Sequence, residues 1–333
     1  MKSGRIVKGL VISSALIIIM TLCITGKDLY KDSELKNSNE EILENEGYDQ
    51  TISFKDKNLE KAIRDEIGKQ IGDINKKDVE SIVNLNLSEK EITTIEGVEH
   101  LCNLKKLDLS RCGLTDIEFL KGLTNLESLN LRWNDFSDNV HKVVNTLKNL
   151  PKLYELNLTE NSLYDITQLS ELINLRKLEI SNCSITSLEG IDKLIHLKEL
   201  DISDNSITSI KELGRLSNLQ ILNLSHTEVT SIKELENHNN LEKLNLSSVK
   251  LNDFNEIQSL TKVKDLDLSF CVLKDIGFLS GLNNLENLNL RWNSLNSIDP
   301  LINLKNLKKV ILADTFMPKE ETDKLSKTIE VLY

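Results

Sequence analysis

The chain has 333 residues, with 41 Lys and Arg against 52 Asp and Glu, for a formal net charge of −11. That balance disfavours a nucleic-acid role, which needs a basic stripe facing the phosphates. It supports solubility without naming a partner. Three prolines and thirteen glycines are too few to make every turn with special residues, so most turns must come from a repeated geometry.

Lys2, Arg5 and Lys8 precede the apolar run GLVISSALIIIMTLCIT. The run is about as long as a signal-peptide core and short for a comfortable membrane span. Basic residues keep the N-terminus inside, so the chain beyond the run is expected to be exported. Two fates stay open for residues 1–26: cleavage near Ile24-Thr25-Gly26 as a signal peptide, or retention as a signal anchor. Lipid attachment at Cys23 would want a small residue where Leu22 stands. Residues 27–50 are rich in Lys, Glu, Asp and Asn and read as a flexible polar spacer. In ISFKDKNLEKAIRDEIG, Leu59, Ile63 and Ile67 fall at helical spacing, with Asp56 as N-cap and Gly68 or Gly72 as the stop. A second short helix is expected from about Asn75 to Ser81. Residues 51–81 are thus read as a helical cap over the apolar end of a repeat array.

Residues 82–315 supply that array, repeating one pattern every 22 residues. Ile82, Leu104, Leu126, Leu153, Leu175, Leu197, Leu219, Leu241, Val263, Leu285 and Leu307 open the units, and the single irregular step carries a five-residue insertion. A typical unit is LKELDISDNSITSIKELGRLSN from Leu197, a leucine-rich repeat by its period and signature. Leu200 and Ile202 alternate with Asp201, so a short strand buries one face, and Ile207, Ile210, Leu213 and Leu216 point inward from the return path. No unit can bury these alone, and stacking supplies the partner. The expected fold is an α/β solenoid, a right-handed curved array of eleven strands in one parallel concave sheet, with helical caps at both ends. Position 9 holds Asn134, Asn161, Asn205 and Asn293, with Cys112, Cys183, Cys271, Thr227 and Thr315 in other units, all suited to bonding the loop backbone. The three cysteines lie in non-adjacent units, so neither a disulfide nor a metal site is expected of them.

Alternation assigns positions 2, 3, 5, 7 and 8 to solvent, mostly as Lys, Glu, Asp, Asn and Ser. Aromatic and arginine side chains break that rule, and such residues carry most contact energy at protein interfaces. Phe270 and Trp292 share position 8 in adjacent units, about 4.8 Å apart by strand spacing, with Arg291 beside them. Trp133 holds the same position earlier, flanked by Arg111, Arg132 and Glu160, with Tyr154 in the next unit. His226 is the one histidine on the concave strands. These eight residues, Arg111, Arg132, Trp133, Tyr154, His226, Phe270, Arg291 and Trp292, are the candidate protein-binding set. The segment from Leu107 is closely echoed from Leu266, an offset of 159 residues that equals seven units plus the insertion, so duplication explains why RWN occurs twice. Within the insertion, Val140, Val143, Val144, Leu147 and Leu150 suit an amphipathic helix packed on the convex side. Residues 316–333 are read as a C-terminal cap, with Pro318 opening a helix that carries Leu325 and Ile329.

Position 5 places Asp108, Glu179, Asp201 and Asp267 in one row, interrupted by asparagines, which reads as a solvated face. No HExxH, phosphate loop or nucleophile elbow occurs, and no cofactor or enzyme activity is expected.

The repeat units together with the segment from Ile52 to Ser88 resemble the internalin-type leucine-rich repeat domain of Gram-positive bacterial surface proteins, over about Thr51 to Thr315. The resemblance implies a surface-displayed or secreted protein at the outer face of the cytoplasmic membrane or beyond. Its concave face would grip a protein of the host or of the bacterial envelope, with Trp133, Phe270 and Trp292 as family-position candidates. The sequence shows neither an Ig-like module after the repeats nor an LPxTG anchor, so the resemblance implies binding and no more. An envelope scaffold, or an intracellular protein resembling the small leucine-rich subunit of protein phosphatase 1, are the alternatives.

Overall fold

The structure, a computed structural model, describes residues 50–325 and 327–333. The expected export segment and all but the last residue of the polar spacer lie outside the described residues. Among those described, no helix is long and apolar enough to cross a membrane.

Twelve parallel strands form one sheet in strict chain order. Eleven come from the repeats, from Asn84–Asn86 to Lys309–Ile311. They pair in register, so that Leu178, Leu200 and Leu222 stack as direct neighbours. On the return path each unit makes a short 3-10 turn, such as Lys211–Arg215, or a coil. Between sheet and turns lies a continuous core in which Leu200, Ile202, Ile207, Ile210, Leu213 and Leu216 are all 0–1% exposed. The molecule is a curved α/β solenoid. Its regularity follows from the sequence: every 22 residues the same apolar positions meet the same positions of the unit before.

Ahead of the repeats, Thr51–Ile52 pairs antiparallel with Ile74–Asn75. Between them runs the helix Lys57–Ile67, ended by Gly68 in the left-handed conformation. One oxygen of Asp56 accepts the N–H groups of Asn58 and Leu59 at 2.8 and 3.0 Å. The other accepts from the backbone and hydroxyl of Thr93, both at 2.8 Å. One carboxylate therefore caps the helix and ties it to the first unit's loop. The second helix, Lys76–Val79, is shorter than the sequence suggests. In the longer unit, Val140–Leu147 is helical and buries Val143, Val144 and Leu147. It rests on the flanking 3-10 turns Glu118–Gly122 and Thr167–Glu171.

The last segment departs from expectation. Helix occupies only Lys319–Thr322, and Ile329 lies beyond it. Glu330–Leu332 instead adds the twelfth strand, alongside Lys309–Ile311. The cause is hydrogen bonding: Leu312 N donates to Leu332 O at 2.8 Å and Glu330 N to Lys308 O at 2.7 Å. The last repeat's edge would otherwise carry unpaired backbone groups.

Candidate functional site

The strand of each unit is three residues long, positions 3 to 5, as in Glu199–Asp201. In most units the side chain at position 5 braces the turn that follows it, although Lys177–Glu179 and Lys309–Ile311 end at the same place with Glu179 and Ile311 there. Asp108, Asp201 and Asp267 each accept the N–H of the serine two residues on, at 2.8, 3.0 and 2.8 Å. Asn130, Asn157, Asn223, Asn245 and Asn289 likewise accept the N–H of the residue two on, which is Arg132, Thr159, Ser225, Ser247 and Arg291. This local turn takes the chain off the pleat. The second carboxylate oxygens are occupied sideways, by Asn130 on Asp108 and Asn223 on Asp201 at 3.0 Å and by Asn289 on Asp267 at 2.8 Å. The row of carboxylates is therefore turn-building hardware. Among the described residues no group of three or more His, Cys, Asp or Glu is placed to hold a metal.

Position 8 then takes the left-handed conformation, with φ of +56° at Arg111, +54° at Trp133, +55° at His226, +59° at Phe270 and +56° at Trp292. These residues are not on the strands, as alternation suggests, but on the bend after them, along one rim of the concave sheet. An L-residue gives up about 1–2 kcal/mol in that conformation. Lateral bonding offsets it: Trp133 N donates to Thr159 O at 2.9 Å, and Phe270 N and Trp292 N to Arg291 O and Ala313 O at 3.0 Å.

Along this rim the Phe270 and Trp292 rings stack, with centroids 5.8 Å apart and planes inclined by 16°, and each residue is 46% exposed. Arg291 reaches Asp314 at 3.2 Å. Six strands away, the Arg111 guanidinium lies 4.6 Å from the centre of the Trp133 ring, and Arg132 pairs with Glu160 at 2.6 Å. His226 is exposed on the same rim but is separated from Phe270 by the Ser248 unit. Tyr154 does not join Trp133. It precedes its strand, Glu155–Asn157, so it stands on the opposite rim, where its hydroxyl donates to Glu127 at 3.2 Å and Arg176 lies 5.7 Å from its ring.

Sequence reasoning missed Val272, which is 68% exposed with φ +57°. A β-branched residue is a rarity there. The duplicated segments supply the comparison: Arg111 and Gly113 of the first copy stand where Phe270 and Val272 stand in the second. One tryptophan is covered by a cation, the other sits in an apolar patch. Aligning the two copies would have exposed this difference.

Inside the bend, position 9 is a ladder. Asn205 donates to Ile180 O and Ile202 O at 2.9 and 3.0 Å, and accepts from Cys183 N and Ile185 N at 3.0 Å. Cys112, Cys183 and Cys271 direct their sulfurs to the carbonyls of Leu87, Leu158 and Leu246 at 3.2, 3.1 and 3.2 Å. All three are free and buried. Burial pushes the Cys183 thiol up to about 12 and Cys112 and Cys271 to about 11. Val249 interrupts the ladder.

Residues 54–205 and 167–271 match the family model described as the leucine-rich repeat domain of endo-β-N-acetylglucosaminidase EndoS. The chain belongs to this leucine-rich repeat family. Among solved structures it is similar to an internalin, InlF, of Listeria monocytogenes, at 24% identity and TM-score 0.62, covering 84% of this chain and 95% of that one. InlJ of the same organism, whose functional domain includes a cysteine ladder, matches at 21% and TM-score 0.62, over 86% of this chain and 71% of that one. A leucine-rich repeat protein of Leptospira interrogans matches at 28% and TM-score 0.62, over 71% of this chain and 62% of that one. No curated protein sequence matches the chain. The chain is a leucine-rich repeat array with the fold seen in these internalins, and such an array is a protein-interaction scaffold.

Proposed function

We propose that this leucine-rich repeat protein is exported, is not an enzyme, and binds a protein of the host or of the bacterial envelope along the rim beyond the C-terminal ends of its strands. The Phe270–Trp292 stack is the principal anchor, with Arg291 beside it, and Trp133 with Arg111 and Arg132 is a second; His226 lies between them. One observation carries the reading. Two large aromatic residues stand half-exposed on backbone that disfavours them, where small or polar residues serve in the neighbouring units. Aromatic anchors of this kind bury large area at little entropic cost. The basic and apolar character of residues 1–26 supports export to the outer face of the membrane or beyond. The helical segment at residues 51–81 and the segment at 316–333 serve as caps on the two ends of the core.

The test is a pulldown from envelope extracts and host-cell membranes, comparing the protein with a Trp133→Ala, Phe270→Ala, Trp292→Ala variant whose melting is unchanged. A partner captured by the first and lost by the second supports the reading. A partner kept by the variant removes the aromatic rim from the interface, and no partner from either source favours an envelope scaffold. Protease shaving of intact cells tests export, since a repeat domain left untouched would place it inside.

A further inference from the structure

The rim opposite the aromatic one is formed by position 2, and its charges follow a rule. Lys105 pairs with Glu127 at 3.0 Å, Lys264 with Glu242 at 2.9 Å, and Lys308 with Glu286 at 2.5 Å. Each cation meets a carboxylate on the neighbouring unit. At Arg176 and Lys198 the rule fails, because two cations are adjacent and Tyr154 and Gln220 flank them. Both are exposed and, among the described residues, form no ion pair. The nearby Glu179 and Glu199 are already engaged by Lys177, at 3.0 and 3.6 Å.

A second regularity, interrupted also at Lys262, breaks at the same place. Two residues before position 2, asparagines tie each unit to the last: Asn125 donates to Cys102 O at 2.9 Å, Asn174 to Pro151 O at 3.2 Å and Asn218 to Ile195 O at 2.8 Å. Between Asn174 and Asn218 the ladder residue is His196, exposed and next to both cations. Lys152 likewise replaces an asparagine; it donates to the amide oxygen of Asn125 at 2.7 Å and its charge also acts on Glu127. Tyr154, Arg176, His196 and Lys198 line one shallow depression, together with Glu127, whose carboxylate is engaged by Lys105 and the Tyr154 hydroxyl. Ile173 and Ile195, 56% and 51% exposed, directly precede Asn174 and His196 of that lining in the chain.

We infer that this rim is a second docking surface, separate from the aromatic one, and that it receives an acidic segment of a polypeptide. Arg176 and Lys198 would bind carboxylates directly, as charge-assisted hydrogen-bond donors. His196 and Lys152 extend the donor row, and Tyr154 holds the Arg176 plane. A peptide is favoured over a long polyanion for two reasons. Three successive units span only about 10 Å, enough for a few carboxylates, and the remainder of a chain of net charge −11 repels a polymer that continues past them. The exposed isoleucines match apolar side chains, which a phosphate polymer lacks.

The probe is a fluorescein-labelled peptide of ten residues alternating glutamate and leucine, followed by anisotropy at increasing NaCl. Inorganic polyphosphate and a single-stranded oligonucleotide run beside it. The peptide is expected to bind, to weaken with salt, and to lose about tenfold or more in affinity with Arg176→Ala, Lys198→Ala. The Lys264→Ala, Lys308→Ala control should leave it within about twofold. No binding, equal loss in the control, or preference for polyphosphate or the oligonucleotide overturns the assignment. None of the four side chains is buried, so each variant should melt as the parent does, and a folded variant with undiminished binding also overturns it.

Discussion

His238 occupies a place where the adjacent units bury Leu216 and Leu260. It is 3% exposed, its Nε2 lies 3.1 Å from Leu213 O, and its Nδ1 has no partner. Burial lowers its pKa below the ordinary 6.5, against the pull of the backbone carbonyls around it. A depressed histidine contributes stability that is intact above 6.5 and is lost as pH falls through the folded value, because the unfolded chain takes up the proton first. Denaturation from pH 8 to 5 should therefore show stability falling on the acid side, and His238→Leu should remove that part of the slope. An unaltered slope would assign the pH dependence elsewhere. At the surface, Trp292→Asn gives up an aromatic stack of about 0.5–1.5 kcal/mol and relieves left-handed strain of similar size, since Asn tolerates that conformation. Net change in chemical denaturation should stay within about 1 kcal/mol, and a larger loss would make Trp292 part of the core. The identity of these side chains was legible in the sequence, but their placement was not. Alternation extends a strand indefinitely, whereas every unit turns after three residues, in most of them with the position-5 Asp or Asn bonded to the turn.

At the scale of elements, the N-terminal helix and the first unit meet at Gly97, whose φ is +108°. A Cβ there would lie 2.6 Å from Phe54 Cδ1 and 2.7 Å from Ser53 O. Gly97→Ala combines that clash with an unfavourable backbone region and should cost at least about 2 kcal/mol. Near-normal melting would mean that the helical segment shifts without penalty. The repeats could be read because one apolar pattern recurs in register eleven times, and the helix Lys57–Ile67 because cap, stop and spacing agreed. The strand Glu330–Leu332 could not be read. It lacks the leucine signature, and its reason to exist is the open edge of Lys309–Ile311, which no local pattern records. Val249 was passed over for a related reason: a ladder inferred from its polar members hides an apolar gap.

For the molecule as a whole, strand order equals chain order and the contacts between repeat elements run to adjacent units. Such an array has nearest-neighbour energetics, with stability built from each unit and its two interfaces. Leu200, 1% exposed and stacked between Leu178 and Leu222, sits near its middle. Leu200→Ala removes burial and leaves a cavity, at roughly 2–5 kcal/mol. In a two-state globule that loss lowers protection of every core amide by the same amount. In a one-dimensional array the lesion lets the neighbouring units open while the distant ones keep their own interfaces. Native-state hydrogen exchange of Leu200→Ala should therefore lose most protection in Lys177–Glu179 and Ile221–Asn223 and least in Asn84–Asn86 and Lys309–Ile311. The helix Val140–Leu147 bridges two 3-10 turns on the N-terminal side of the lesion, so the loss should fade faster toward that end than toward the C-terminus. A uniform drop across all strands would instead establish that the solenoid unfolds as one cooperative block.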